Sequence, residues 1–179
     1  MIYSQYDEIA DKYDSLFEDK ESLKENDEIR QMLSNIKGSV CDIGCGTGLY
    51  IELKSPNPDM YYGIDPSKSM LDRFIDKYPT FRFRLENSIF EDSHLSLNSF
   101  DNIVSLFGSI SYVAPECLSR ISFSCPHHFL MFYKPDYTPV TYQRANVSFT
   151  HYSLTKEELK NIFSTSDVKE YRSYIIVSK

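Results

Sequence analysis

Val40-Cys41-Asp42-Ile43-Gly44-Cys45-Gly46-Thr47-Gly48-Leu49 is the stretch that decides the fold. A short apolar run, Ser39 to Ile43, delivers the chain into a turn with glycine at every second position, and a helical pattern follows. Glycine belongs where φ turns positive, or where a ligand must touch the main chain without a Cβ in the way. At the C-terminal end of a parallel strand, such a turn is where open α/β sheets bind ligands. Seventeen residues after Gly48, Asp65 closes the next apolar run in Tyr62-Gly63-Ile64-Asp65-Pro66-Ser67. A carboxylate at a strand tip can accept two hydrogen bonds from a ribose diol. Together the two features describe a nucleoside-containing cofactor lying across strands one and two. The plainer reading is a tight strand–helix turn, with Asp65 an N-cap of the following helix.

Working outward, Met60 to Ile64, Phe81 to Leu85, Ile103 to Phe107 and Phe129 to Tyr133 read as further strands. Such nearly continuous apolar runs suit a parallel sheet covered on both faces. Helical spacing is read over 4–18, with Tyr6, Ile9, Ala10, Tyr13, Leu16 and Phe17 on one face, and around Glu28 to Ile36, ending near Gly38. Helices are also expected at about 48–54, 67–77 and 114–122. Thr155 with Glu158 forms a capping box that opens a helix to about Phe163, and Tyr174 to Ser178 is a terminal strand. Strand and helix alternate throughout, so the fold class is α/β, doubly wound.

With 179 residues and no linker or repeat, a single domain is expected. Lys plus Arg number 19 against 26 Asp plus Glu, a net charge of −7, which disfavours a nucleic-acid partner. The weak basic cluster Lys68, Arg73, Lys77, Arg82 and Arg84 reads better as a solvated face than as an RNA site. No run approaches the length of about 18 apolar residues that spans a membrane. The acidic N-terminus is no signal peptide, and Cys41, Cys45, Cys117 and Cys125 form no CxxC pair, so reduced thiols in the cytosol are expected. No metal-binding cluster is read. Fourteen tyrosines and 12 phenylalanines, with no tryptophan, permit a large core and a pocket lined with phenol rings.

The glycines at 44, 46 and 48 spell GxGxG rather than the dinucleotide GxGxxG, and Asp42 precedes them. A pyrophosphate favours positive surroundings, whereas an acid here suits a cofactor with an ammonium end. Val40 to Leu49 resembles motif I of the class I S-adenosylmethionine-dependent methyltransferases. Gly63-Ile64-Asp65-Pro66-Ser67 with Met70-Leu71 is similar to their second-strand motif, and Phe100 to Val113 to the fourth-strand segment of small-molecule members. Tyr6-Asp7, Ile9-Ala10 and Tyr13-Asp14 resemble the lid helix of the deoxyaminosugar N-methyltransferases and their relatives.

The resemblance covers about 3 to 133. It implies a Rossmann-like fold: a mainly parallel sheet, helices on both faces and an antiparallel C-terminal strand. It also implies lid helices over 1–37, a cofactor-binding core over 38–133 and an acceptor-side cover over 134–179. The implied cofactor is S-adenosyl-L-methionine and the implied partner a small-molecule acceptor, methylated on O or N. Gly44, Gly46 and Gly48 would admit the cofactor, Cys45 would pack or face it, and Asp42 would stand near its ammonium end. Asp65 would hold the ribose, Pro66 would pack on the adenine, and Asn87 and Ser88 would sit in the turn that reads the adenine amino group. In that turn Asn87 takes the place of the family's usual acid. Leu106 and Gly108 would lie under the methionine portion, and Tyr13 would close from the lid.

Methyl transfer needs no catalytic triad, and none is read. On the acceptor side, Tyr6 and Tyr13 divide evenly between core packing and a lid role. Tyr112 and Tyr133 are further candidates. His151, just before the capping box, is the candidate base alongside Tyr13, since a histidine titrates near neutral pH. His127 and His128 precede a strand at the far edge and read as exposed turn residues. The absence of Asn-Pro-Pro-Tyr or Asp-Pro-Pro-Tyr argues against an adenine or glutamine-amide N-methyltransferase of that type. About 21 residues separate the fifth strand from the capping box, and Val168 to Tyr171 leaves little room for a two-stranded finish. The acceptor cover is then expected from the N-terminal helix and 134–153, with a homodimer partner as the other source. Two alternatives stay open: a non-catalytic module binding S-adenosylmethionine or S-adenosylhomocysteine, and, more weakly, an NAD-dependent oxidoreductase.

Overall fold

A computed structural model of the chain describes residues 4–124, 127–138 and 151–179. The strands are Val40–Ile43 (β1), Tyr61–Ile64 (β2), Leu85–Glu86 (β3), Asn102–Ser105 (β4), His127–Tyr133 (β5), Asp167–Tyr171 (β6) and Tyr174–Ser178 (β7). They form one sheet in the order β3-β2-β1-β4-β5-β7-β6. β7 is antiparallel to both neighbours, and the pairings from β3 to β5 are all parallel. The doubly wound, Rossmann-like fold expected from the sequence is the fold observed.

The helices are Ser4–Ile9 (α1), Lys20–Met32 (α2), Leu49–Lys54 (α3), Lys68–Lys77 (α4), Pro115–Ser124 (α5) and Lys156–Ile162 (α6). Alternation along the strands sends Val40, Val104, Met131 and Ile176 to one face, where Ile29 and Leu33, Leu53 of α3 and Phe74 of α4 cover them. Cys41, Ile103, Leu130 and Val177 point the other way, against Leu118 and Ile121 of α5 and Leu159 of α6. Both layers are dry, because these residues are at most 5–7% exposed. The order of winding reverses between β1 and β4, which opens a crevice at their C-terminal ends.

Four expectations need correction. Phe81 to Leu85 is mostly a 3-10 turn (Pro79–Arg84), and β3 keeps only two residues. Its alternation did not reflect two covered faces: Phe81 packs on Tyr61 and Phe74, while Phe83 is 88% exposed. The chain also has the two-stranded finish, a β6–β7 hairpin joined through Arg172 and Ser173. Arg172 sits at φ +46, a conformation that turn-forming sequences normally give to Gly or Asn. Ion pairs to Glu21 (2.5 Å) and Glu28 (2.9 Å) of α2 hold it there. His128 is not an exposed turn residue. It lies inside β5, 4% exposed, with Nε2 2.8 Å from the Ser166 hydroxyl. Finally, α2 begins eight residues before Glu28. The Asp19 side chain caps Glu21 and Ser22, and the polar first turns, with Leu23 exposed, hid the helix from periodicity.

Candidate functional site

The glycine loop is built by pairing with β2. Gly44 and Cys45 both donate their N–H to the Ile64 carbonyl (2.8 and 3.1 Å), which carries the sheet one step past β1. Gly44, at φ +74, backs onto Ser109, where a Cβ would lie 2.3 Å from the Ser109 Cβ. Gly46, at φ +51, differs: a Cβ there would meet nothing within 4 Å. Its free side opens into the crevice.

Asp65, at the tip of β2, is 8% exposed and doubly held: Oδ2 accepts from Gly46 N–H and Oδ1 from Ser67 N–H, both at 2.9 Å. Ser67, not Asp65, caps α4 through Met70 N–H. Burial pushes the Asp65 carboxyl up to about 6 against those two hydrogen bonds. Asp42, one strand over, is 2% exposed and accepts the Tyr61 hydroxyl at 2.9 Å. Burial pushes it up to about 7, and the Tyr61 bond only partly offsets this. A buried carboxylate so poorly solvated is stabilised by any cation brought beside it.

Two connected lobes meet over Gly44, Gly46 and Ser109. The first, about 730 Å³ with open solvent included, runs from Asp65 and Pro66 to Ser88 and Phe90, with Met70 beneath. The second, about 1410 Å³ counted the same way, runs from Asp42, Cys45 and Leu106 to Tyr133, Tyr137 and Tyr174. Tyr6 and Tyr13 line both lobes and stand edge-on to each other at 6.1 Å. Burial holds the Tyr13 phenol well above its ordinary value, which keeps it neutral.

The N-terminal segment lies over this crevice because three acids on it meet α4 and the glycine loop. Asp7 accepts from Ser67 Oγ (2.7 Å) and Ser69 N–H (3.0 Å), Asp11 pairs with Arg73, and Asp14 takes Lys77 (2.7 Å) and Thr47. The expected basic cluster is thus in part the partner of this acidic stripe.

Of the residues singled out in the sequence, Tyr13, Asp42, Gly44, Cys45, Gly46, Asp65, Pro66, Ser88 and Leu106 line the crevice. Gly48 sits under the Tyr78 ring and Gly108 (φ +88) under the Tyr133 ring, so each is required by packing behind the site. Asn87 does not line it either; its amide donates to the Asp65 and Pro66 carbonyls (3.1 and 2.9 Å) and fixes the strand-tip loop. His151 stands edge-on to Tyr112 and Tyr133 (6.2 and 5.3 Å), one ring behind the wall, and burial lowers its pKa. Cys125 and most of the expected cover, 139–150, lie outside the described residues. Phe107 and Ser109, inside the fourth-strand segment, also line the crevice, as do Tyr174 and Glu25, which no local motif marks.

Residues 40–125 match the family model described as methyltransferase domain. A search of curated proteins finds no significant match. Among solved structures, an S-adenosylmethionine-dependent methyltransferase from Mesorhizobium loti superposes with a TM-score of 0.64 at 16% identity, over 84% of this chain and 94% of that one. DesVI of Streptomyces venezuelae gives 0.67 at 16% identity, over 94% and 97%. An S-adenosylmethionine-dependent methyltransferase from Thermotoga maritima gives 0.69 at 14%, over 99% and 98%. Residues 40–125 thus match a methyltransferase-domain model, within a chain that carries the fold of the S-adenosylmethionine-dependent methyltransferases.

Proposed function

We propose that the chain transfers a methyl group from S-adenosylmethionine to an oxygen or nitrogen of a small-molecule acceptor. The observation that carries this reading is the two-lobed crevice at the switch point, with Gly46 open to it and Asp65 beside it. The residues fit the cofactor. Gly44 and Gly46 admit it to the main chain, and Asp65 keeps lone pairs for a ribose although two are spent on backbone N–H groups. Pro66 and Ser88 line the adenine lobe, with Asn87 holding its edge. Leu106 underlies the methionine portion, and Asp42 balances the ammonium end.

When bound, S-adenosylmethionine supplies a methyl group already activated on a sulfonium. The chain's own residues then need only align the acceptor and exclude water, effects worth about 7–11 kcal/mol in favourable cases. Tyr6 and Tyr13 close the crevice from the N-terminal segment, and Tyr133 and Tyr174 wall its far end. His151, behind Tyr133, can take up a proton only through an intervening group, so in this reading it is no direct base. The same proposal makes the chain one domain, with 1–37 as lid, 38–133 as core and 134–179 as cover. It also keeps a homodimer as a second source of cover and a cytosolic setting, Cys41, Cys45 and Cys117 being free thiols.

Calorimetric titration with S-adenosylmethionine, S-adenosylhomocysteine and NAD tests the reading. Binding of the first two is expected. Binding of NAD without response to S-adenosylhomocysteine would overturn it. S-adenosylhomocysteine binding with no methyl transfer across small-molecule pools would leave the binding-module alternative, which neither the motifs nor the fold favours.

A further inference from the structure

We propose that the acceptor enters the larger lobe as a cation: a small molecule anchored by a protonated amine, with Glu25 as counter-charge and the phenols of Tyr50, Tyr133 and Tyr174 around it; a nitrogen that itself takes the methyl group first gives up that proton to water. This rests on the methyltransferase reading and names the acceptor class for the same site.

Two independent observations support it. The first is charge. Asp14, Glu18, Glu25, Asp42 and Glu52 line this lobe, and none of its described lining residues is Lys, Arg or His. Most of these acids are answered or solvated. Asp14 has Lys77 and Thr47, Asp42 has the Tyr61 hydroxyl, and Glu18 and Glu52 are exposed. Glu25 is different. Its side chain is 19% exposed, and its cation, Arg172, lies 3.9 Å away while bonded to Glu21 (2.5 Å) and Glu28 (2.9 Å). One guanidinium shared among three carboxylates leaves a half-buried negative charge facing the lobe.

The second observation is polar and not acidic. Tyr50, Tyr133 and Tyr174 line the lobe and are 2%, 7% and 6% exposed. No hydrogen bond joins the hydroxyl of any of them to another described residue. Buried phenols normally find partners. Three with none among the described residues, all lining this lobe, are placed for polar atoms of a bound molecule. Phe107 lines the lobe as well, edge-on to Tyr174 at 5.8 Å, in the left-handed region at φ +48. Strain of that kind collects where a side chain must be held toward a ligand. Phenol rings and a carboxylate whose only nearby described cation is shared with two other carboxylates are the chemistry that holds alkylammonium groups.

The experiment uses the full chain saturated with S-adenosylhomocysteine and measures binding of benzylamine and cyclohexylamine against benzyl alcohol, cyclohexanol and benzoate. The amines are expected to bind at least about tenfold more tightly than their alcohols, with benzoate weakest. Glu25→Gln should erase the preference while leaving S-adenosylhomocysteine affinity unchanged. Tyr174→Phe should weaken amine binding in a protein that melts as the wild type does. Absence of any amine preference in the loaded protein overturns the proposal and leaves the methyltransferase reading standing. Loss of S-adenosylhomocysteine binding in Glu25→Gln, with melting unchanged, also overturns it, because the charge would then belong to the cofactor. Failure of wild type to bind S-adenosylhomocysteine overturns both.

Discussion

The Asp65 carboxylate accepts the Gly46 N–H at 2.9 Å, tying the tip of β2 to the middle of the glycine loop 19 residues earlier. Its other oxygen takes the Ser67 N–H at the start of α4. One buried side chain therefore shapes both loops that frame the nucleoside lobe, and the same carboxylate faces that lobe.

Asp65→Ala should consequently lose on two counts. S-adenosylhomocysteine binding is expected to weaken by about 1.5–3 kcal/mol. Stability should also fall, by about 1–3 kcal/mol, because two backbone donors lose their acceptor. Asp65→Asn, which keeps one accepting oxygen, should recover part of the stability. Calorimetry and thermal melting separate the two effects; an unchanged dissociation constant in folded Asp65→Ala would remove the ligand role.

Gly46→Val should stay folded and lose the cofactor. The new Cβ meets no protein atom within 4 Å, so the cost to folding is the strain of φ +51, about 1–3 kcal/mol. A domain of ordinary stability, about 5–15 kcal/mol, withstands that. Binding does not, since the branched side chain projects into the crevice. Circular dichroism should be near native, and S-adenosylhomocysteine should no longer raise the melting temperature. A wild-type rise would reduce the loop to a turn.

At the β6–β7 turn, Arg172→Gly and Arg172→Ala both remove the ion pairs to Glu21 and Glu28. Only glycine is at ease at φ +46. Arg172→Gly is therefore expected to be the more stable of the two, by about 1 kcal/mol. Equal melting temperatures would show that the turn relaxes once the guanidinium is gone.

The fourth prediction concerns Asp42. Its folded pKa of about 7 lies above the usual carboxylate value, so the folded state holds a proton that the unfolded state releases. Stability from this group is present at low pH and lost as pH rises through about 7. Buried His128, pulled down to about 4, works in the opposite sense. The readout must therefore be a difference between proteins. Asp42→Asn, still able to accept the Tyr61 hydroxyl, should gain melting temperature relative to wild type as pH goes from 5.5 to 7.5. A difference that does not grow with pH would mean Asp42 is charged throughout.

Much of this protein was determined by local sequence. The strand–glycine–helix passage at 40–49, the carboxylate at 65 and the capping box at 155–158 each encode their conformation within a few residues, through required φ values or fixed cap spacing. The doubly wound fold follows once those pieces alternate. Tertiary structure decided the rest. The β6–β7 hairpin turns on an arginine, which adopts φ +46 because α2 brings Glu21 and Glu28 beside it from some 150 positions away. The larger lobe likewise gathers Glu25, Tyr50, Phe107, Tyr133 and Tyr174 from five separate segments. Glu25, Tyr50 and Tyr174 read locally as ordinary surface or core residues. Only packing of the sheet against α2 and the N-terminal segment brings them to one lobe, and a lobe assembled from distant segments leaves no periodicity for a sequence to display.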